Sequence, residues 1–186
     1  MSLSSIARVS SLSRFSSTLA CPIENGFTNV HQRPTLRRMQ LTRIIYASVA
    51  SADLEYDEVT SILRSATTRN EAQGITGILC FSDDVFLQVL EGPRSDVNQL
   101  YNMIIRDPRH KKVELLSAGE IDQRDFADWS MKLISWDCQP TAQRRALLLR
   151  HSRTTAFEPF GMTARQAHGF LCELAELERR PSLVAA

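Results

Sequence analysis

A chain of 186 residues, 43% hydrophobic and with a formal net charge of +1, has room for one domain with a substantial core plus appendages. The charge is uneven: residues 1–40 carry five Arg and one Glu, leaving 17 basic against 20 acidic groups in residues 41–186, and a body this mildly acidic argues against a surface built to hold nucleic acid by phosphate neutralisation. No run approaches the roughly 18 apolar residues of a membrane-spanning helix, and Cys21, Cys80, Cys138 and Cys172 form no C-x-x-C pair and meet no His at zinc-ligand spacing, so they read as free thiols in a reducing cytosol, without a metal site.

Residues 1–40 are rich in Ser and Arg and hold no acidic residue before Glu24. This composition reads first as an upstream-extended start or a disordered tail, and second as an organelle import signal. Met39 is an alternative start, because strand-like patterning begins directly after it. The folded part is expected over 41–137, with a helical extension at 138–180 and a short tail at 181–186.

Residues 42–49 alternate as a strand, with Ile44, Tyr46 and Ser48 on one side. Ser51-Ala52-Asp53 offers a cap for a helix whose apolar positions Val59, Ile62, Leu63 and Ala66 follow helical spacing, ending near Arg69-Asn70. Residues 75–81 read as a buried strand, and Ser82-Asp83-Asp84 as a tight turn into strand 85–90. Past Gly92-Pro93, Val97, Leu100, Tyr101 and Ile104 mark a second helical face, which Asp107-Pro108 stops. Strand-like runs follow around 112–119 and 129–136.

The order βαββαββ predicts an α+β sandwich of ferredoxin-like type, with both helices on one sheet face and the C-terminal segment on the other. Residues 140–153 are helix-compatible. Glu158-Pro159-Phe160-Gly161 breaks the chain, and Met162-Thr163 offers a cap for a last helix with Ala167, Phe170, Leu171 and Leu174 on one side. The apolar faces of these two helices predict a homo-oligomer.

The common signatures of phosphate-binding loops, α/β-hydrolases and zinc proteases are absent from the sequence. The informative residue is Gln88, an amide in the middle of the apolar run Phe86-Leu87-Gln88-Val89-Leu90. Leaving a buried polar group unpaired costs about 1–3 kcal/mol, so Gln88 requires a polar partner in protein or ligand. Tyr46 poses the same question from the first strand. A structural hydrogen bond is the commoner explanation for either alone, but their joint presence beside Asn70 points to a pocket. In Arg106-Asp107-Pro108-Arg109-His110-Lys111-Lys112 the cations fit a solvated helix end, with an anion clamp as the second reading. Trp129 and Met131 read as an aromatic and a thioether on the same face of the last strand.

Together, Arg43-Ile44-Ile45-Tyr46-Ala47-Ser48, Arg69-Asn70, Gly74-Ile75-Thr76-Gly77, Phe86 through Gly92, Asp107-Pro108-Arg109-His110 and Phe126-Ala127-Asp128-Trp129-Ser130-Met131 resemble the BLUF family, sensors of blue light using FAD. The C-terminal stretch resembles the short, stand-alone, PixD-like members, in which two helices and no enzyme follow the domain. The resemblance implies FAD between the two helices, with Tyr46 as photochemical tyrosine, Gln88 as switching glutamine and Asn70 as flavin-binding asparagine. It implies that Tyr46 donates an electron and a proton after blue-light excitation, and that Gln88 is left rotated or tautomerised with a new flavin hydrogen bond and a small red shift. Arg109 and His110 are implied cofactor contacts, Arg106 a weaker one. Arg69 stands where relatives often carry Asn or His, so flavin tuning is expected to differ. Trp129 and Met131 are implied to carry the signal out to a separate effector protein. A cofactor-free ferredoxin-like interaction module and a flavin-dependent redox enzyme are the competing readings, and a cytoplasmic location is expected.

Overall fold

The computed structural model describes residues 40–51, 56–136 and 141–179, all within one compact unit. The elements run β1 (Leu41–Ala50), α1 (Tyr56–Ala72), β2 (Thr76–Ser82), β3 (Val85–Pro93), α2 (Arg94–Ile104), β4 (His110–Ile121), β5 (Lys132–Ser135), α3 (Ala142–His151) and α4 (Ala164–Arg179). A short 3-10 turn at Pro159–Gly161 precedes α4. The expected βαββαββ order stands. Residues 1–39, Ala52 and Asp53 of the expected first cap, the Val59 side chain, Cys138 and the tail lie outside the described residues.

The sheet order is β4-β1-β3-β2-β5, antiparallel except for the β2–β5 pair. β1 and β3 sit in the middle and are buried on both faces, so each reads as a near-continuous apolar run rather than an alternation. Successive side chains still go to opposite faces. Ile44, Tyr46, Phe86, Leu90, Leu79 and Phe81 pack with Leu63 of α1 and with Val97 and Leu100 of α2. Ile45, Leu87, Val89, Ile78 and Cys80 pack instead with Leu147 and Leu148 of α3 and with Phe170, Leu171 and Leu174 of α4. Two cores therefore share one sheet.

Local chemistry fixes the boundaries. Asp83 adopts a left-handed φ of 53° in the β2–β3 turn, a conformation that Asp tolerates better than most residues. Gly77 lets β2 approach β3: a Cβ there would lie 2.0 Å from the Val89 carbonyl oxygen. Thr141 caps α3 by accepting from the Arg144 backbone N–H at 3.3 Å. At α4 the expected cap is a full capping box, with Thr163 Oγ1 accepting from the Gln166 N–H at 3.3 Å and Gln166 Oε1 accepting from the Thr163 N–H at 2.9 Å.

One expectation loses its ground and another needs correction. Leu147 and Leu148 of α3 and the apolar face of α4 are covered by the second sheet face of the same chain, because β1, β2 and β3 each supply a buried stripe to it, while Leu149 stays exposed; these helical faces therefore give no argument for the expected homo-oligomer and none against it. Trp129 and Met131 precede β5 and lie on opposite faces. Met131 enters the core under α1 and α2, whereas Trp129 packs toward α4. Among the described residues, no helix is long and apolar enough to cross a membrane.

Candidate functional site

β1 and β3 pair in a register that sets Tyr46 directly opposite Gln88, with Leu79 of β2 on the other side of Gln88. Both side chains leave the sheet on the face under α1 and α2. The Tyr46 hydroxyl donates to Gln88 Oε1, and Gln88 Nε2 donates to Met131 Sδ at 3.0 Å. Tyr46 is fully buried and Gln88 is 6% exposed. Burial, reinforced by Tyr101 and Asp107, pushes the Tyr46 phenol far above its ordinary range, so it stays protonated.

These residues floor a cleft between α1 and α2. Ile62, Leu63 and Ala66 line it from α1, Leu100, Met103 and Ile104 from α2, and Arg69, Asn70, Asp107, Arg109 and His110 stand at its polar ends. Apolar walls with a few convergent polar groups are the usual make-up of a small-molecule site. Asn70, near the C-terminal end of α1, is buried; its Nδ2 donates to the Ser130 carbonyl at 3.2 Å, while its Oδ1 is buried without a protein partner. An orphaned acceptor on a cleft wall suits a ligand N–H.

His110, the first residue of β4, holds its Nδ1 2.8 Å from Ser48 Oγ and sets its ring against Phe86 with 5.1 Å between centroids. Burial lowers its pKa below the usual 6.5, with Asp107 opposing and Arg109 adding to the shift. Arg109 is clamped by Asp107: Oδ1 accepts from its backbone N–H at 3.0 Å and from Nε at 2.8 Å, and Oδ2 from Nη2. That bond holds the Asp107 carboxyl down to about 2. Arg69 is exposed at the cleft rim, and Arg106 lies outside it in a shallow depression beside Arg109.

Of the residues singled out in the sequence, Tyr46, Arg69, Asn70, Gln88, Arg109, His110 and Met131 meet in this cleft. Trp129 does not. Its ring lies on the other side of the sheet, with Lys132 Nζ 4.8 Å and the Arg179 guanidinium 4.9 Å from its centroid. Its backbone is nevertheless tied to the site, since the Trp129 carbonyl accepts from the Gly77 N–H at 2.9 Å. Residues 129–131 are thus pinned in succession to β2, α1 and β3.

Sequence reasoning passed over Ser48, Asp107, Ser130 and Glu91. Glu91 is a wholly buried carboxylate on the face of β3 opposite Gln88; it accepts from Arg43 Nε at 2.7 Å and from the Asp125 and Phe126 backbone N–H groups at 3.3 and 3.1 Å. The alternation that exposed Gln88 as buried applies equally to Glu91, three residues on.

Residues 41–132 match the family described as BLUF, sensors of blue-light using FAD. The chain is 36% identical over 92 residues to the photoactivated adenylate cyclase subunit beta of Euglena gracilis, covering 49% of this chain but 11% of that protein; it thus spans about a tenth of the length of such relatives. Two solved structures align over most of their length. "BlsA photo-activated state" is 30% identical, with a TM-score of 0.65 and coverage of 72% of this chain and 94% of that one. "BlrB - a BLUF protein, dark state structure" is 30% identical, with a TM-score of 0.58 and coverage of 73% and 97%.

Proposed function

The chain belongs to the BLUF family, sensors of blue light using FAD, and from that premise we propose that the cleft between α1 and α2 is its light-sensing site, with Tyr46 and Gln88 as the switching pair. Blue-light sensing and the FAD cofactor come with the family. The residue roles are our reading, carried by one observation: a buried Tyr46 hydroxyl donating to a buried Gln88 carbonyl at the floor of the cleft.

The residues present fit the cofactor. Asn70 would hold the ring system, its unpartnered Oδ1 accepting a ring N–H while Nδ2 stays on Ser130. Arg109 and His110 would hold the ribityl and phosphate end, and Arg69 would stand over the rim. FAD, when bound, supplies the blue-light absorption and the electron acceptor. Tyr46 would give up an electron and its hydroxyl proton, the proton along its hydrogen bond to Gln88. When both return, the Gln88 amide is left rotated or tautomerised, with a donor where the dark state holds an acceptor. No net reaction results.

The consequence for output follows from what Gln88 touches. Its Nε2 bond to Met131 Sδ cannot survive reorientation of the amide unchanged, and Met131 leads directly into β5. We place the output along Met131, Trp129 and α4, ending in altered association with a second copy of the chain or with a separate effector protein. A two-state element biased by one side chain is what a population-shift account requires. A cofactor-free interaction module is not favoured, because it leaves the buried Asn70 Oδ1 without a partner. The test is an absorption spectrum of the purified protein before and just after a blue flash. A flavin band that shifts slightly red and recovers in darkness is expected; a folded protein without flavin, or bound flavin without a reversible shift, would overturn the reading.

A further inference from the structure

On the sheet face away from the cleft lies a second cluster of polar side chains, none of which lines the cleft. His168 and Cys172 stand one turn apart on α4, and Asp125 approaches from the segment between β4 and β5. The three offer one atom each to a common point: His168 Nε2 is 2.8 Å from Asp125 Oδ2 and 3.4 Å from Cys172 Sγ, and Sγ is 3.9 Å from Oδ2. We propose that Asp125, His168 and Cys172 form a zinc site, three protein ligands closed by a water from the solvent side, tying α4 to the segment that leads into Met131.

The geometry is close to what tetrahedral zinc demands. Zinc bonds of about 2.0–2.1 Å to nitrogen, about 2.0–2.2 Å to oxygen and about 2.3 Å to sulfur set neighbouring ligand atoms roughly 3.3–3.6 Å apart. The His168–Asp125 edge need open by only about half an ångström, and the Cys172–Asp125 edge close by less. One nitrogen, one carboxylate oxygen and one thiol is a donor set that suits a borderline-soft cation over magnesium or calcium, which take oxygen. All three residues are half-buried, so a face remains open for the fourth ligand.

The ligands are held rather than loose. Ala167, Phe170, Leu171 and Leu174 are fully buried around the two α4 ligands and fix the helix in rotation. The Asp125 backbone is held at both ends, its N–H donating to Glu91 Oε1 at 3.3 Å and its carbonyl accepting from Arg179 Nη2 at 3.0 Å. Arg43 Nη2 donates to Asp125 Oδ2 at 2.5 Å, the outer-shell hydrogen bond that ligating carboxylates commonly receive. Its positive charge is met 2.6 Å away by the buried Glu91 carboxylate. Zinc with one thiolate and Asp125 is neutral, as is the Arg43–Glu91 pair, so the assembled cluster leaves no net charge on the half-buried face. The four-residue step from His168 to Cys172 sets two ligands on one helix face, against the expectation from the cysteine spacing of no metal site, and the third ligand stands 43 residues from His168 in sequence.

The experiment adds cobalt(II), whose tetrahedral thiolate-bound form absorbs in the red beyond the flavin band, to the flavin-bound 186-residue chain kept in the dark. One cobalt per chain should give that absorption, and one equivalent of zinc should abolish it. Cys172→Ser and His168→Gln, with their dark flavin spectra unchanged as a check on folding, should each lose it. Arg43→Lys should weaken zinc binding about 10–100-fold without abolishing it, as outer-shell substitutions do. Absence of the red absorption in the unsubstituted protein, or its persistence in either ligand variant, would overturn the proposal.

Discussion

Tyr46 and Gln88 are direct register partners of neighbouring central strands, and the Tyr46 hydroxyl donates to the Gln88 carbonyl inside a buried pair. The sheet, rather than a loop, fixes their approach. A side chain on a strand that is paired on both sides has little freedom of position, so the hydrogen bond is set by the pairing of β1 with β3 and of β3 with β2.

Replacing Tyr46 with Phe removes the hydroxyl that donates to Gln88 Oε1 and leaves the packing of the ring intact. The protein should bind FAD and remain folded, and should lose the normal reversible red shift. Flash absorption spectroscopy of the variant measures this; an unaltered photocycle would rule Tyr46 out as the donor.

Asn70→Ala removes the Nδ2 bond to the Ser130 carbonyl and the acceptor at Oδ1 together. A neutral hydrogen bond is worth about 0.5–1.5 kcal/mol, so loss of one bond to the ring should weaken FAD binding by up to about tenfold. Titration of the flavin-free protein by fluorescence quenching gives the affinity, and unchanged binding would remove Asn70 from the cofactor contacts.

Much of this was legible in the sequence, and the exceptions share a cause. The βαββαββ order and the helical faces carrying Leu63, Val97 and Leu100 follow from periodicity, and the requirement that buried amides be paired points to a pocket, but that Tyr46, Asn70 and Gln88 share it is what the family resemblance implies. Trp129 and Met131 were expected on one face because strand alternation was extended to residues that precede β5; irregular backbone there sends them to opposite sides. The network of Glu91 with Arg43 and Asp125 spans 82 residues between its ends, and no local pattern announces such a contact. Arg106 is implied by the resemblance as a weaker cofactor contact than Arg109, and the turn after α2 puts only Arg109 at the cleft.

Glu91→Ala should destabilise the fold by about 3–5 kcal/mol, because it removes one of the two carboxylates that meet Arg43, the other being Asp125, and leaves two buried backbone N–H groups without their acceptor. Urea denaturation followed by circular dichroism reads the change. Glu91→Gln keeps the shape and an acceptor and should cost less; equal losses in the two variants would place the effect in the lost charge opposite Arg43 rather than in packing or in hydrogen bonding.

His110 makes stability pH-dependent in a stated direction. Its folded pKa lies below the 6.5 of the unfolded chain because the ring is buried, so the unfolded chain takes up a proton first. The contribution is full above about pH 6.5 and is lost as the pH falls through the folded value. Asp107 and Arg109 face the same ring and act in opposite senses, and Ser48 holds Nδ1. Thermal melts between about pH 5 and 7.5 should show His110→Gln with the flatter profile; parallel profiles would assign the dependence elsewhere.

Met131→Ala removes the sulfur that accepts from Gln88 Nε2. The flash-induced red shift should remain, while the light-dependent change in hydrodynamic size or partner release should weaken. Sedimentation in darkness and under blue light separates the two, and an undiminished light response would take Met131 out of the output path.

The most direct test is a flash difference spectrum of Gln88→Leu, recorded beside the unsubstituted protein. Leu fills the same space between Tyr46 and Met131 but offers neither the acceptor nor the donor. The account predicts that the variant retains FAD and gives no reversible red shift after a blue flash; a normal shift that recovers in darkness would contradict the assignment of Gln88 as the switch.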